Sequence, residues 1–301
     1  MRLGEPSLDQ LRIFLSVVEE GSFGGAARQM GRAVSAISYG VAQMEAQLGV
    51  SLFAREGSRK PELTDAGKGL LVEAGAVIDQ VDALLAKTRS LHQGLESDIA
   101  LVLDVMVPGD VTANVLREFR TMFPTVVLHL HIEAMGAVAA PVLSGEAQLG
   151  IGGPVVQEFA ELERQDIGSV EMVPVAAPGH PLAQPDIAPG ESRGHLQLVL
   201  SDRSKLTKGR QFSVLSPLNW RLSDLAAKHA LLREGIGWGN MPIHMVRDDL
   251  ESGALKVLEL PEKPGGAFRF NAMWRRDSRP GPATSWLIDA LRETLAKCPK
   301  N

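Results

Sequence analysis

Residues Ser22 to Glu45, SFGGAARQMGRAVSAISYGVAQME, decide the architecture of this chain. The pattern predicts one helix from about Phe23 to Met30 and a second from about Val34 to Leu48. Gly31 and Gly49 end them, because glycine takes the left-handed C′ position without a steric penalty. Ile37, Val41, Met44 and Leu48 recur at helical spacing and make one buried face. The opposite face carries Ser35, Ser38, Tyr39, Ala42 and Gln43, which are short or polar and include no acid. A surface of that kind approaches an acidic, hydrogen-bonding partner closely, as a recognition helix does in a DNA groove. Period alone also suits a plain helical hairpin in a core, so the flanking segments have to decide.

Upstream, Ser7-Leu8-Asp9-Gln10 reads as a capping box that opens an earlier helix. Leu8, Leu11, Leu15 and Val18 form its expected apolar stripe, with Phe14 beside it and Gly21 closing it. Downstream, Val50 to Leu63, VSLFAREGSRKPEL, reads as a short β-hairpin turning at Gly57-Ser58. Arg55, Arg59 and Lys60 surround that turn and suit a phosphate backbone. Between residues 24 and 60, Arg28, Arg32, Arg55, Arg59 and Lys60 stand against only Glu45 and Glu56. The remaining acids of this part sit mostly in the first helix, so positive charge gathers near the proposed DNA face.

From Thr64, a predicted N-cap, one long helix follows. Leu70, Ala74, Val77, Val81, Leu84, Thr88 and Leu91 keep a heptad stripe, the period of a coiled-coil seam. A narrow stripe needs a partner, and a second copy of the chain is the simplest. Beyond Gly94, apolar runs alternate with helical patterns. Strands are predicted at Ile99–Val105, Val126–Ile132, Ala147–Gly152, Met172–Ala176, Leu196–Leu200, Phe212–Leu215 and around Phe268–Trp274. Helices are predicted at Val111–Phe123, Ala137–Leu143, Leu222–Arg233 and Thr284–Lys297. Such βαβ alternation implies an α/β fold with a mostly parallel sheet, whose ligands bind at strand ends or between lobes.

Composition narrows the class. The 301 residues suggest more than one domain. A 45% hydrophobic and 22% charged chain is globular rather than disordered. A net charge of −5 excludes a uniformly basic protein but not a basic patch. Cys298, the single cysteine, excludes an intrachain disulfide framework and suits a reducing compartment. MRLGEPSLDQ has no apolar signal core, and no apolar run approaches the ~18 residues of a membrane span. A cytoplasmic location without membrane contact is therefore expected.

Together the segments LRIFLSVVEEGSFGGAARQMGR, SAISYGVAQMEAQLGVSLFARE, LTDAGKGLL and KHALLREGIGWGNMPIHMVRDDLESGAL resemble the LysR-type transcriptional regulators, over the whole chain. The resemblance implies a winged helix-turn-helix at residues 1–63, a dimerising linker helix at 64–95 and an effector-binding domain at 96–301. That last domain would have two α/β lobes like type 2 periplasmic binding proteins, lobe 1 about 96–163 and 266–301, lobe 2 about 164–265. It implies homodimers, commonly paired into homotetramers, which bend double-stranded promoter DNA, respond to a small-molecule effector and act on RNA polymerase. No cofactor or metal comes with it.

Carried over by position, the family's recognition contacts fall at Val34, Ser35, Ser38 and Tyr39, and its wing contacts at Arg55, Arg59 and Lys60. The family often has a serine and a glutamine where Ala33 and Val34 stand here, and an arginine at Tyr39. Loss of the cap costs about 0.5–2 kcal/mol; loss of the glutamine removes a bidentate adenine reader. Effector positions fall at Met106, Val107 and Pro108, at Met135 and Gly136, at Gly152 and Gly153, and at Ser201, Asp202, Arg203 and Ser204. Arg203 suits a carboxylate, so a small organic acid is expected, with an uncharged aromatic or aliphatic metabolite as the alternative.

Three other readings are weaker. His129, His131 and Glu133 alternate on a strand and share a face, but no nearby pair completes a zinc site. GIGWGN, Gly235 to Asn240, lacks the G-x-G-x-x-G spacing of a phosphate loop. An enzyme is disfavoured by the absence of a nucleophile elbow, of H-E-x-x-H and of a paired acid motif. A ligand sensor that has lost DNA binding is kept open by Val34 and Tyr39.

Overall fold

In the computed structural model the described residues are 4–54, 60–92, 94–153, 159–202, 204–207, 210, 212–262 and 264–297. The chain divides into two compact units, Met1–Arg89 and Ser90–Asn301.

In the first unit, α1 (Leu8–Glu19) opens on the capping box: Ser7 accepts the Gln10 N–H and Gln10 Oε1 accepts the Ser7 N–H. Next come α2 (Phe23–Met30) and α3 (Val34–Leu48), ended by left-handed Gly31 and Gly49. The buried face of α1 differs from the expected stripe. Gln10, Ile13, Phe14 and Val17 turn inward with Leu11, whereas Leu8 is exposed and Leu15 and Val18 are half-buried. The reason is α3, which crosses at Gly40: a Cβ there would lie 2.7 Å from Ile13 Cδ1. Close helix approach at a glycine draws Ile13 into the core. Phe53 stacks edge-on against Phe14 and Phe23 at 5.7 and 5.6 Å. Glu45 accepts the N–H groups of Leu52 and Phe53, so this acid of α3 is spent on the turn into the hairpin.

The hairpin is held by the antiparallel bridge of Phe53 with Leu63; residues 55–59 lie outside the described residues. Thr64 Oγ1 accepts the Gly67 N–H at 3.0 Å and so caps α4 (Asp65–His92). The expected heptad stripe divides. Ala74, with Ile78 and half-buried Leu70 and Leu71, packs on the first unit's core. Val77, Leu84 and Thr88 stay exposed, and the side chain of Leu91 lies outside the described residues.

The second unit is built on one continuous sheet. At one end β1 (Asp98–Asp104) pairs in parallel with β2 (Val127–Glu133) and β3 (Leu149–Gly152). At the other, β5 (Gln197–Leu200) pairs in parallel with β6 (Asn219–Leu222) and β7 (Trp238–Pro242). Two long antiparallel strands, β4 (Leu162–Ala176) and β9 (Gly266–Arg275), join the ends, from Leu162 opposite Arg275 to Met172 opposite Gly266. A short β8 (Lys256–Val257) pairs with the end of β4. Helices α5 (Gly109–Met122), α6 (Gly136–Ser144), α7 (Leu225–Arg233), α8 (Ile243–Ser252) and α9 (Pro282–Ala296) cover the sheet. Asp249 of α8 accepts from His229 and Arg233, tying α8 to α7.

Two expectations need correction here. Phe212–Leu215 is not a strand: Ser213 has φ 54°, and the strand lies instead at β6. Helix α7 begins at Leu225, because Asp224 caps it by accepting the Ala227 N–H. GIGWGN is a turn followed by strand β7; a Cβ on Gly237 or Gly239 would come within 2.6 or 2.5 Å of the carbonyls of Leu196 and Leu198. Those glycines admit close approach to β5. Among the described residues no group of three His, Cys, Asp or Glu is placed to hold a metal ion, and His129, His131 and Glu133 are exposed on the edge strand β2. No described helix is long and apolar enough to cross a membrane.

Candidate DNA-binding face and ligand cavity

Helix α3 buries Ile37, Gly40, Val41 and Met44 and turns Val34, Ser35, Ser38 and Tyr39 outward. Val34 is 50% and Tyr39 67% exposed, far more than an apolar side chain shows when its own unit covers it. Ala33 has the extended backbone of an N-cap yet makes no capping bond, so the first amides of α3 lack a side-chain acceptor. Gln43 turns toward α1, where its Oε1 accepts from Gln10 at 3.3 Å.

The basic residues are not equivalent. Arg28 is exposed on the last turn of α2. Arg32 is held by Asp9 through two hydrogen bonds of 2.7 and 2.8 Å. That guanidinium lowers the Asp9 carboxyl below its ordinary range. Lys60 is exposed, and Arg55 and Arg59 lie outside the described residues.

The expected effector residues separate into distinct groups. Met106 and Met135, following β1 and β2, line a cavity of about 240 Å³ where the two ends of the sheet meet. Leu198, Val199 and Leu200 of β5 face them, with Met172 and Phe268 from the crossing strands and Phe212 from a loop. Ser201, Asp202 and Ser204 instead line a neighbouring cleft with Ala137, Pro141 and Glu133. Gly136 stands where the lobes touch, its would-be Cβ 2.9 Å from Asp202 Oδ2. Val107 is buried, Pro108 precedes α5, and Gly152 packs on Met273 and Val138; none of the three lines either space. Gly153 lies against the Phe268 ring, and Arg203 lies outside the described residues.

The cavity's polar groups are ones the sequence reading missed. Lys228 is 3% exposed, and its Nζ donates to the Asn240 carbonyl at 2.6 Å. Burial lowers its pKa to about 8. Asn240 is 9% exposed, and its Oδ1 has no hydrogen-bond partner among the described residues. Gln197 is fully engaged, accepting from the N–H groups of Leu215 and Ser216 and donating to the Ser213 carbonyl. A signal for Lys228 was present: it falls between Leu225 and Leu232 on the buried stripe of α7, where a lysine is out of place.

Comparison with known proteins agrees with this anatomy. Residues 8–68 match the family model of bacterial regulatory helix-turn-helix proteins of the lysR family, and residues 92–296 match the LysR substrate binding domain. The transcriptional regulator AceR of Acinetobacter baumannii is 26% identical, over 94% of this chain and 96% of that one. The probable regulator YhaJ of Escherichia coli is 27% identical over 94% of each. Among solved structures, an OxyR variant from Corynebacterium glutamicum superposes with a TM-score of 0.54 at 20% identity, covering 97% and 95% of the chains. Full-length LysG of the same organism, with its effector Arg bound, gives 0.50 at 20% identity, covering 96% and 98%. A DNA-binding helical unit followed by a two-lobed ligand domain, matched along nearly its whole length, makes this chain a member of the LysR family of transcriptional regulators.

Proposed function

We propose that this regulator reads promoter DNA through Val34, Ser35, Ser38 and Tyr39 of α3, with Arg28 and the wing residues Arg55, Arg59 and Lys60 on the phosphates, and is switched by a small organic acid. The effector sits in the cavity walled by Met106 and Met135. One observation carries the ligand reading: among the described residues, that lining holds a single cation, Lys228, and no carboxylate. The sign of the site thus favours an anion. LysG, a structural relative, was solved with a small charged effector, which supports ligand control of this kind of domain. Exposed apolar side chains on α4 support a homodimer, and the family resemblance extends this to a pair of dimers contacting RNA polymerase.

Footprinting on the DNA upstream of its own gene and its neighbours, across several salt concentrations, tests the DNA half. An interrupted palindrome is expected, weakened by Ser38→Ala and Arg28→Ala, with the slope against log salt reduced by about one unit in the arginine variant. Protection indifferent to both substitutions would assign DNA binding to another face.

A further inference from the structure

We propose that α3 reads C5-methyl groups in the major groove, with Val34 as the contact, so that this regulator takes thymine or, in its place, 5-methylcytosine, and its binding responds to cytosine methylation of its sites. The inference rests on the reading that α3 is the DNA-reading helix, and adds the chemistry it reads.

The argument begins with what α3 has to offer. Among the described residues its exposed side chains include no charged one: they are Val34, Tyr39, Gln43, two serines and three alanines. Base pairs are told apart by paired hydrogen bonds from arginine or lysine to guanine and from asparagine or glutamine to adenine, and by acids on cytosine. Gln43 is the one exposed side chain of α3 in that set, and its Oε1 is turned to Gln10 at 3.3 Å. Bidentate pairing with an adenine would give up that bond. Arg32, just ahead of the helix, spends its fork on Asp9 through bonds of 2.7 and 2.8 Å. Glu45, the acid of α3, accepts from Leu52 and Phe53.

Hydroxyls and methyls are what remain to touch base edges. A serine hydroxyl both donates and accepts, so it suits every base and separates none. An apolar side chain does separate them, because thymine alone of the four ordinary bases carries a methyl group in the major groove. 5-Methylcytosine carries the same group on the same ring carbon. Val34 is the side chain placed to meet it. It opens α3, and the N-terminal turn of a recognition helix is the part that reaches base edges. It is 50% exposed, an apolar surface that its own unit leaves in water. Tyr39 is exposed as well, but its ring ends in a hydroxyl that bonds bases and phosphates alike. Covering one methyl group is worth about threefold to tenfold in affinity.

The test is selection by the full-length protein from a random-sequence duplex library, followed by titration of the selected duplex and its altered forms. Each thymine in turn is replaced by deoxyuridine, which lacks only the methyl group. At one position of each half-site this is expected to weaken binding by about threefold to tenfold. Changing that T·A pair to C·G is expected to weaken binding at least as much, and methylating the new cytosine at C5 to restore most of the loss. In Val34→Ser, thymine and deoxyuridine are expected to bind equally at that position; in Ser38→Ala, binding weakens but the difference remains. A selected site at which no thymine responds to deoxyuridine, or a response unchanged in Val34→Ser, would overturn the methyl reading, while loss in Ser38→Ala would still keep α3 on the DNA. Failure to select any sequence, or binding indifferent to Ser38→Ala, would overturn the DNA reading of α3 and this inference with it.

Discussion

Asp202 reaches across the ligand domain to the first turn of α6, where its Oδ2 accepts the Ala137 N–H at 3.0 Å. Thr207 donates to the other carboxylate oxygen, fixing its direction. One lobe therefore caps a helix of the other, and Gly136 leaves room for the contact. An acid at a helix N-terminus contributes about 0.5–2 kcal/mol through the amides it satisfies and the dipole it faces. Asp202→Ala is expected to lower the ligand domain's denaturation midpoint by a corresponding amount. It is also expected to raise hydrogen exchange at Ala137 and Val138 before other amides of α6. Unchanged exchange there would mean the latch does not hold the lobes in solution.

Asp104 sits behind the same turn and is 2% exposed. Burial raises its pKa to about 7, with Asp202 nearby adding to the rise and the amides of Met106 and Met135 opposing it. The folded state therefore binds this proton more tightly than the unfolded chain does. Its contribution to stability is full below the unfolded pKa near 3.8 and is lost as pH rises through about 7. Melting temperature should thus decline from about pH 5 to about pH 8 in the native protein and decline less in Asp104→Asn. Parallel curves for the two proteins would remove Asp104 as the source of the slope.

How much of this was legible follows from what each residue answers to. Capping and period are local, so Ser7, Gly31, Gly49 and Thr64 marked the helices of the first unit correctly. The inward face of α1 was not legible, because Gly40 of another helix decides whether Ile13 or Leu8 turns inward. In the ligand domain, β7 was concealed by glycines needed only for contact with β5. The first ten residues of β4 were concealed by their polar alternation. Candidate effector positions came from the family resemblance; of these, Met106 and Met135 line the 240 Å³ cavity. Lys228 and Asn240 come from a helix and a strand that meet only in the folded domain, and no spacing in the sequence joins them.

Gly67 and Gly69 lie two residues apart on α4 and should respond oppositely to alanine. Helix propensity alone favours alanine at each by about 1 kcal/mol. At Gly69 nothing lies within 4 Å of an added Cβ, so Gly69→Ala is expected to stabilise the DNA-binding unit by that order. At Gly67 the added Cβ would stand 2.2 Å from the Leu52 carbonyl oxygen, which is backbone and cannot swing aside. Gly67→Ala is expected to destabilise by about 1–3 kcal/mol, the range for overpacking a tight site. Urea denaturation followed by helix signal reads both. A stabilised Gly67→Ala would show that the start of α4 shifts freely over Leu52.

Leu84 is 63% exposed on α4, with Leu85 at 46% and Val77 at 44%. The first half of the helix spends Ala74 and Ile78 on its own unit, while Val77 and Leu84 stay exposed to a partner. Exposed apolar side chains at helical spacing are covered most simply by the same stripe of a second copy. Leu84→Glu would place an acid in that seam twice, once from each copy. It is expected to shift the sedimentation of the full-length protein from dimer or larger toward monomer. Binding to a palindromic site should weaken with it, because each half-site is then held singly. Monomer-independent binding, or an unshifted dimer, would place the self-association elsewhere on the chain and leave Leu84 a solvated residue of a single helix.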